Sequence, residues 1–297
     1  MYKVTVVSFY FDLKGFRDAT PSVRPSSFYM EKGRSTLKLP YPMIFFCDES
    51  TFPDIKQMRE EELGEEMAGN LTHYVVKNIT EYDFYKDNLS IVQQNRRHQS
   101  AVYNESSRNT SSYFLLTMFK IVALQMAHQW NRYDTAFLAW IDFGGSHILR
   151  NFEEGAKKML DDPLEKIRFC YIHYRGEEEL RDMKQYYANG GPCGVAATAF
   201  TIEREYVSRF YNGILSIFHE TLFHGVGHSE EGVMTYFCHR YPELCNYSYG
   251  DYYSVLSNYH RPVEDLHSIQ YFFIDQCRYK GRDDLAAKVP LFDSKKS

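Results

Sequence analysis

Apolar residues fall in short continuous runs, separated by longer stretches in which they recur at helical spacing. Residues 3–11 (KVTVVSFYF) are rich in β-branched and aromatic types and predict a strand. Residues 42–47 (PMIFFC) predict a second strand closing on Asp48, and residues 73–77 (HYVVK) a third. A polar turn region at 12–27, a helix about 28–38 and a polar helix at 52–66 lie between them. Residues 83–109 are polar, with little periodicity, and read as part helix and part loop. An amphipathic helix at 111–129 then feeds a wholly apolar run, 135–141, that ends at Asp142. A helix at 152–160, a strand at 166–174, helices at 202–219 and 229–241 and an aromatic-rich coda at 269–280 follow. Short runs that are apolar throughout fit strands buried on both faces of a sheet. Their alternation with helices predicts an α/β fold, a mainly parallel central sheet flanked by helices. With no repeat, low-complexity block or Pro/Gly/Ser linker, residues 1–297 read as one domain.

Composition narrows the function classes. Hydrophobic residues make up 44% and charged residues 25% of the chain, as in an ordinary globular protein. A net charge of -5 argues against a general nucleic-acid partner. The six cysteines are scattered without a C-x-x-C pair, and Cys47 and Cys170 lie within apolar runs, as buried free thiols do. No run of 18 apolar residues exists, because Lys120 interrupts the best candidate, so no transmembrane segment is expected. The first fifteen residues lack the apolar core and cleavage site of a secretory signal, which predicts a cytoplasmic protein whose six N-x-S/T sequons go unused.

Chemistry concentrates in a few segments. Ligands of open α/β sheets bind outside the carboxyl ends of the strands. Asp142, at the lip of its strand and followed by Gly144 and Gly145, is therefore either a holder of a divalent cation with its phosphates or a turn and helix-capping residue. The familiar D-x-D signature has Gly144 in place of its second acid, which leaves room for another group such as His147. Small residues in 187–200 (YANGGPCGVAATAF), Gly191 and Gly194 among them, suit a loop whose N–H groups face a sugar, or a tight loop packed on the sheet. Glu230 and Glu231 open a helix, either as dipole-stabilised acids or as a general base for an acceptor hydroxyl. In residues 249–262, tyrosines and Asn258 suit sugar binding, and His260 is a metal-ligand candidate. His219, His224 and His228 miss the spacing of a zinc-protease helix, so a zinc hydrolase is the weakest reading.

The ordered set formed by residues 113–120, W-I-D-F-G at 140–144, the G-G-P-C-G loop, E-E at 230–231, P-E-L at 242–244, G-D-Y at 250–252 and N-Y at 258–259 resembles the HtrL/YibB family of bacterial and large-virus proteins, probable glycosyltransferases. The resemblance covers most of the chain. It implies a GT-A, Rossmann-like fold, with a nucleotide-binding half of about 1–150 and an acceptor-binding half of about 151–297. By that resemblance Asp142 stands at the D-x-D position, and Glu230 and Glu231 at that of the catalytic acid. Phe9, Asp12 and Asp48 would lie near the nucleotide, and Lys120 would reach the phosphates. The implied activity is metal-dependent (Mn²⁺ or Mg²⁺) transfer of a sugar from a UDP-sugar to a glycan acceptor; direct displacement with Glu230 or Glu231 as base would invert the anomeric centre, and retention stays open. Related proteins of large algal viruses decorate capsid glycans, xylose included, which makes UDP-xylose a donor to test. The rival is an inactive relative that keeps sugar or nucleotide binding.

Overall fold

A computed structural model of the protein describes residues 2–12, 16, 18, 24–98, 110–188, 193–227, 229–260 and 270–287. Among them seven strands form one sheet: β1 (Val4–Tyr10), β2 (Met43–Cys47), β3 (Thr72–Val76), β4 (Phe137–Ile141), β5 (Ile167–Tyr171), β6 (Val195–Glu203) and β7 (Cys245–Tyr249), in the order β3-β2-β1-β4-β6-β5-β7. Every pairing is parallel except those of β6, which runs against both β4 and β5. The helices before β4 are α1 (Ser26–Leu37), α2 (Phe52–Leu63), α3 (Glu65–Leu71), α4 (Asp83–His98) and α5 (Ser111–Trp130). Those after it are α6 (Phe152–Asp161), α7 (Glu177–Leu180), α8 (Met183–Ala188), α9 (Val207–Phe223), α10 (Glu230–Arg240), α11 (Gln270–Tyr279) and α12 (Asp283–Ala286).

The sheet carries an apolar layer on each face, as strands buried on both sides require. Phe119 of α5, Phe218 of α9 and Met234 of α10 share one layer with Trp140 and Phe200. Leu37 of α1, Ile55 of α2 and Met159 of α6 share the other with Phe45 and Ile141. The α/β architecture that the patterning predicts is present, with one reversed strand inserted in it.

Three local expectations fail for identifiable reasons. Residues 195–200, read as part of a loop, and 202–203, read as helix, belong to β6, and α9 begins only at Val207. The β6 sequence VAATAFTIE is buried almost throughout, so the alternation that marks a half-exposed strand is missing. The predicted helix at 52–66 breaks at Gly64, whose φ of 80° lies outside helical geometry. Strand β7 has no counterpart in the patterning; it closes the sheet beside β5.

The connections place a site. From β1 the chain moves outward through β2 to β3, then returns to lay β4 on the other side of β1. The strand order reverses at the carboxyl ends of β1 and β4, the place where open α/β sheets hold their ligands. Asp12 follows β1 there and Asp142 follows β4.

Candidate active site

Asp142 is the first residue beyond β4, and its N–H donates to the Thr198 carbonyl at 2.8 Å. Trp140, two residues earlier and so on the same face of the strand, donates its indole N–H to Asp142 Oδ1 at 2.6 Å. Phe9 packs edge-on against Trp140, with ring centroids 5.0 Å apart, and serves as the wall beneath the site.

Lys120 enters from α5 with only 2% of its side chain exposed. Its Nζ donates to Asp142 Oδ1 at 3.3 Å, Glu230 Oε1 at 3.0 Å and the Ala197 carbonyl at 3.0 Å, which matches three N–H groups to three acceptors. Burial alone would discharge the amine, but Asp142 and then Glu230 outweigh it and hold the pKa above the usual lysine value. Lys120 is thus a fixed interior cation joining α5, β4, β6 and α10.

Ala197 offers both backbone groups because the β5–β6 ladder slips there: Arg168 opposes Thr201, while Cys170 opposes Ala196. Its carbonyl accepts from Lys120, and its N–H donates to Glu231 Oε1 at 3.1 Å. An irregularity of this kind commonly re-aims groups beside functional sites.

The two acids of α10 part company. Glu230 turns to Lys120, with 13% of its side chain exposed. Glu231 turns the other way, receiving the Ala197 N–H on Oε1 and the Tyr252 hydroxyl on Oε2. Burial, reinforced by the neighbouring Glu230 charge, pushes the Glu231 carboxyl up to about 7. Tyr252 also lies 3.0 Å from Cys193 Sγ. The Tyr252 proton is spent on Glu231 and burial pushes the Cys193 thiol up to about 12, so the thiol donates to the phenol oxygen. Asp142 keeps 38% of its side chain open in its recess, and burial raises its carboxyl pKa against the pull of Lys120.

The other expected residues divide. Asp12 and Asp48 lie at the same edge of the sheet, where the Asp12 N–H reaches Asp48 Oδ2 at 3.4 Å. Asp48 Oδ1 accepts from Ser50 and from the N–H and hydroxyl of Thr51, which closes the turn into α2. Gly194 does not present its N–H to a ligand: it donates to Thr235 Oγ1 at 2.9 Å, and a Cβ there would stand 2.6 Å from Thr235 Cγ2. Packing of α10 is what requires this glycine. Gly191 and His228 lie outside the described residues.

His260 is no partner of Asp142. Its Nε2 meets the Asp162 carbonyl at 2.7 Å, and Asp162 reaches Lys3, just before β1, at 4.0 Å. That is the amino edge of the parallel strands, about 15 Å from Asp142 by the length of a five-residue strand. A Cβ at Gly144 would stand 3.0 Å from Tyr29 Cδ1, so a second acid there would have to press the Tyr29 ring aside by a few tenths of an ångström. His147 turns to Arg24, at 2.8 Å. No group of three or more His, Cys, Asp or Glu that could hold a metal occurs among the described residues, which leaves a histidine-built zinc site without support. A groove of about 660 Å³ opens beside Lys32, Ser146 and Glu154 but contains none of the residues above.

For a hard divalent cation that arrives with phosphates, one or two carboxylates from the protein suffice. Asp142 fits that role, because both hydrogen bonds to its carboxylate fall on Oδ1.

No curated protein matches the sequence. A family model described as "Bacterial protein of unknown function (HtrL_YibB)" matches residues 2–260. Among solved structures, apo xyloside xylosyltransferase 1 from mouse is similar at TM-score 0.42 and 12% identity, over 82% of this chain and 83% of that one. Rv0371c from Mycobacterium tuberculosis H37Rv is similar at TM-score 0.39 and 10% identity, over 84% and 89%. The 4-diphosphocytidyl-2C-methyl-D-erythritol synthase from Anaerococcus prevotii DSM 20548 is similar at TM-score 0.41 and 10% identity, over 95% and 97%. Likeness at this level assigns no residue a role.

Proposed function

The chain belongs to the HtrL_YibB family, and we propose that it is a glycosyltransferase of GT-A type. In this reading it moves a sugar from a nucleotide-sugar donor, UDP-linked in the first instance, to a hydroxyl of a glycan. The observation that carries the reading is Glu231, a carboxyl pushed up to about 7 on a helix whose preceding acid is tied to the β4 edge through Lys120. A base poised near neutral pH is what deprotonating a sugar hydroxyl calls for. The donor's place is the carboxyl edge of β1 and β4, within the first half of the chain, and the acceptor approaches from the second half, beside α10.

The acceptor hydroxyl gives its proton to Glu231 as its oxygen bonds to the anomeric carbon. The bond from that carbon to the diphosphate oxygen breaks, and its electron pair leaves on the diphosphate. Attack opposite the leaving group inverts the centre. Tyr252 and the Ala197 N–H aim the Glu231 carboxylate. Lys120 pairs with both Asp142 and Glu230 and fixes α10 against β4. Mn²⁺ or Mg²⁺ bound with the donor would be held by Asp142 and would neutralise diphosphate charge.

A panel of UDP- and GDP-sugars tests the donor assignment through thermal stabilisation with Mn²⁺ present. A ligand at about 100 times its Kd stabilises the folded state by roughly 2.7 kcal/mol. The reading expects a rise in Tm with at least one UDP-sugar, lost in Asp142→Ala; no rise with any donor contradicts it.

A further inference from the structure

Arg175 lies four residues beyond β5, at the same edge of the sheet as Asp142. Its side chain is 9% exposed, and its only ion pair among the described residues is a long one, Nη1 to Glu179 Oε2 at 3.5 Å. The buried Nε has no hydrogen-bond partner among the described residues. Glu179 is also claimed by Lys280, whose Nζ sits 2.5 Å from Oε1 and whose side chain is 15% exposed. Two cations therefore share one carboxylate, which leaves one positive charge over in a half-enclosed place. The neighbouring Arg282 shows the contrast, since both of its contacts to Asp284 are 2.9 Å and its charge is matched.

The surplus charge borders the reactive acid. The Cβ position of Gly194 is 3.3 Å from Arg175 Cγ and 2.6 Å from Thr235 Cγ2. Thr235 in turn donates to the Glu231 carbonyl at 2.7 Å, one helical turn away. Arg175 thus runs along the turn of α10 that carries Glu231. It is not at the donor's place: β5 is two strands from β4 in the sheet, about 10 Å at ordinary strand spacing. An oxyanion is the ligand that an under-matched guanidinium and ammonium take, and the guanidinium fork matches a carboxylate. The two sources of such an anion are the donor diphosphate and an acidic acceptor sugar, and the position favours the second.

We propose that Arg175 and Lys280 form the anion-binding end of the acceptor subsite, which takes a glycan whose sugar beside the attacked hydroxyl is a uronate. The proposal rests on the reading of Glu231 as the base. It is tested without turnover, by calorimetric binding of methyl glucuronide, its neutral twin methyl glucoside, and UDP to the full chain.

The wild type should bind the glucuronide about tenfold more tightly than the glucoside, the worth of a hydrogen bond to a charged group. Arg175→Gln should bring that ratio close to one, Lys280→Gln should lower it, and Arg175→Lys should retain part of it, with UDP affinity alike in all four proteins. Equal affinity for the two sugars in the wild type, or an undiminished ratio in Arg175→Gln, overturns the proposal. So does a loss of UDP affinity in Arg175→Gln, which would assign the guanidinium to the donor. Failure of the transferase reading is a separate result: uronate selectivity with no transfer from any nucleotide sugar keeps the subsite and removes the enzyme.

Discussion

Glu230 and Glu231 are adjacent and chemically alike, and only their surroundings separate them. One faces a buried ammonium; the other faces a phenol and a peptide N–H, and burial beside its neighbour pushes its carboxyl up to about 7. The residue types were legible in the sequence, but which acid can act as base depends on Tyr252, 21 positions away. The same holds for Asp142. Its place at a strand end was readable, whereas its contact with Lys120 and the Tyr29 ring that crowds position 144 come from tertiary packing. The Tyr252 hydroxyl favours the ionised form of Glu231, so Tyr252→Phe should raise the Glu231 pKa further. Activity needs that group ionised. The acid limb of the pH profile of kcat/KM, near 7 in the wild type, should therefore move about one pH unit to alkaline in the variant. A purely structural loss would lower the whole profile without moving its limb.

Elements with clear periodicity were legible almost to the residue, as β1, β2 and α5 show. Strand β6 was not, because a strand buried on both faces shows no alternation, and its three alanines dilute the β-branched and aromatic signal. Its slip against β5, which no sequence rule exposes, supplies two of the site's backbone contacts. Arg59 is a second feature the patterning hid: an apparently surface position on polar α2 is a fully buried guanidinium. It donates to the carbonyls of Leu37, Leu39 and Tyr41 and to Thr72 Oγ1, tying the end of α1 and the approach to β2 onto β3. Arg59→Met takes the guanidinium donors from the Leu37 and Tyr41 carbonyls and from Thr72, while the Leu39 carbonyl keeps the Tyr41 N–H. It should cost about 3 kcal/mol or more, read as a fall in the urea midpoint at unchanged m-value.

At the scale of the whole molecule, alternating strands and helices did predict the layered sheet, whose carboxyl edge is where sheets of this kind hold ligands. The order of the strands, which makes the ends of β1 and β4 the switch point, is a long-range property that no local pattern carries. That order also removed His260, placed at the opposite edge, from the site. Among the described residues no helix is long and apolar enough to cross a membrane.

The central claim is that Glu231 takes the proton of the attacking hydroxyl, and sugar transfer by Glu231→Gln tests it most directly. The variant is almost the same size and keeps an oxygen for the Ala197 N–H or the Tyr252 hydroxyl, so donor binding should persist. Transfer from the best UDP-sugar should fall by about 10²-fold or more. Transfer at the wild-type rate in Glu231→Gln would contradict the account.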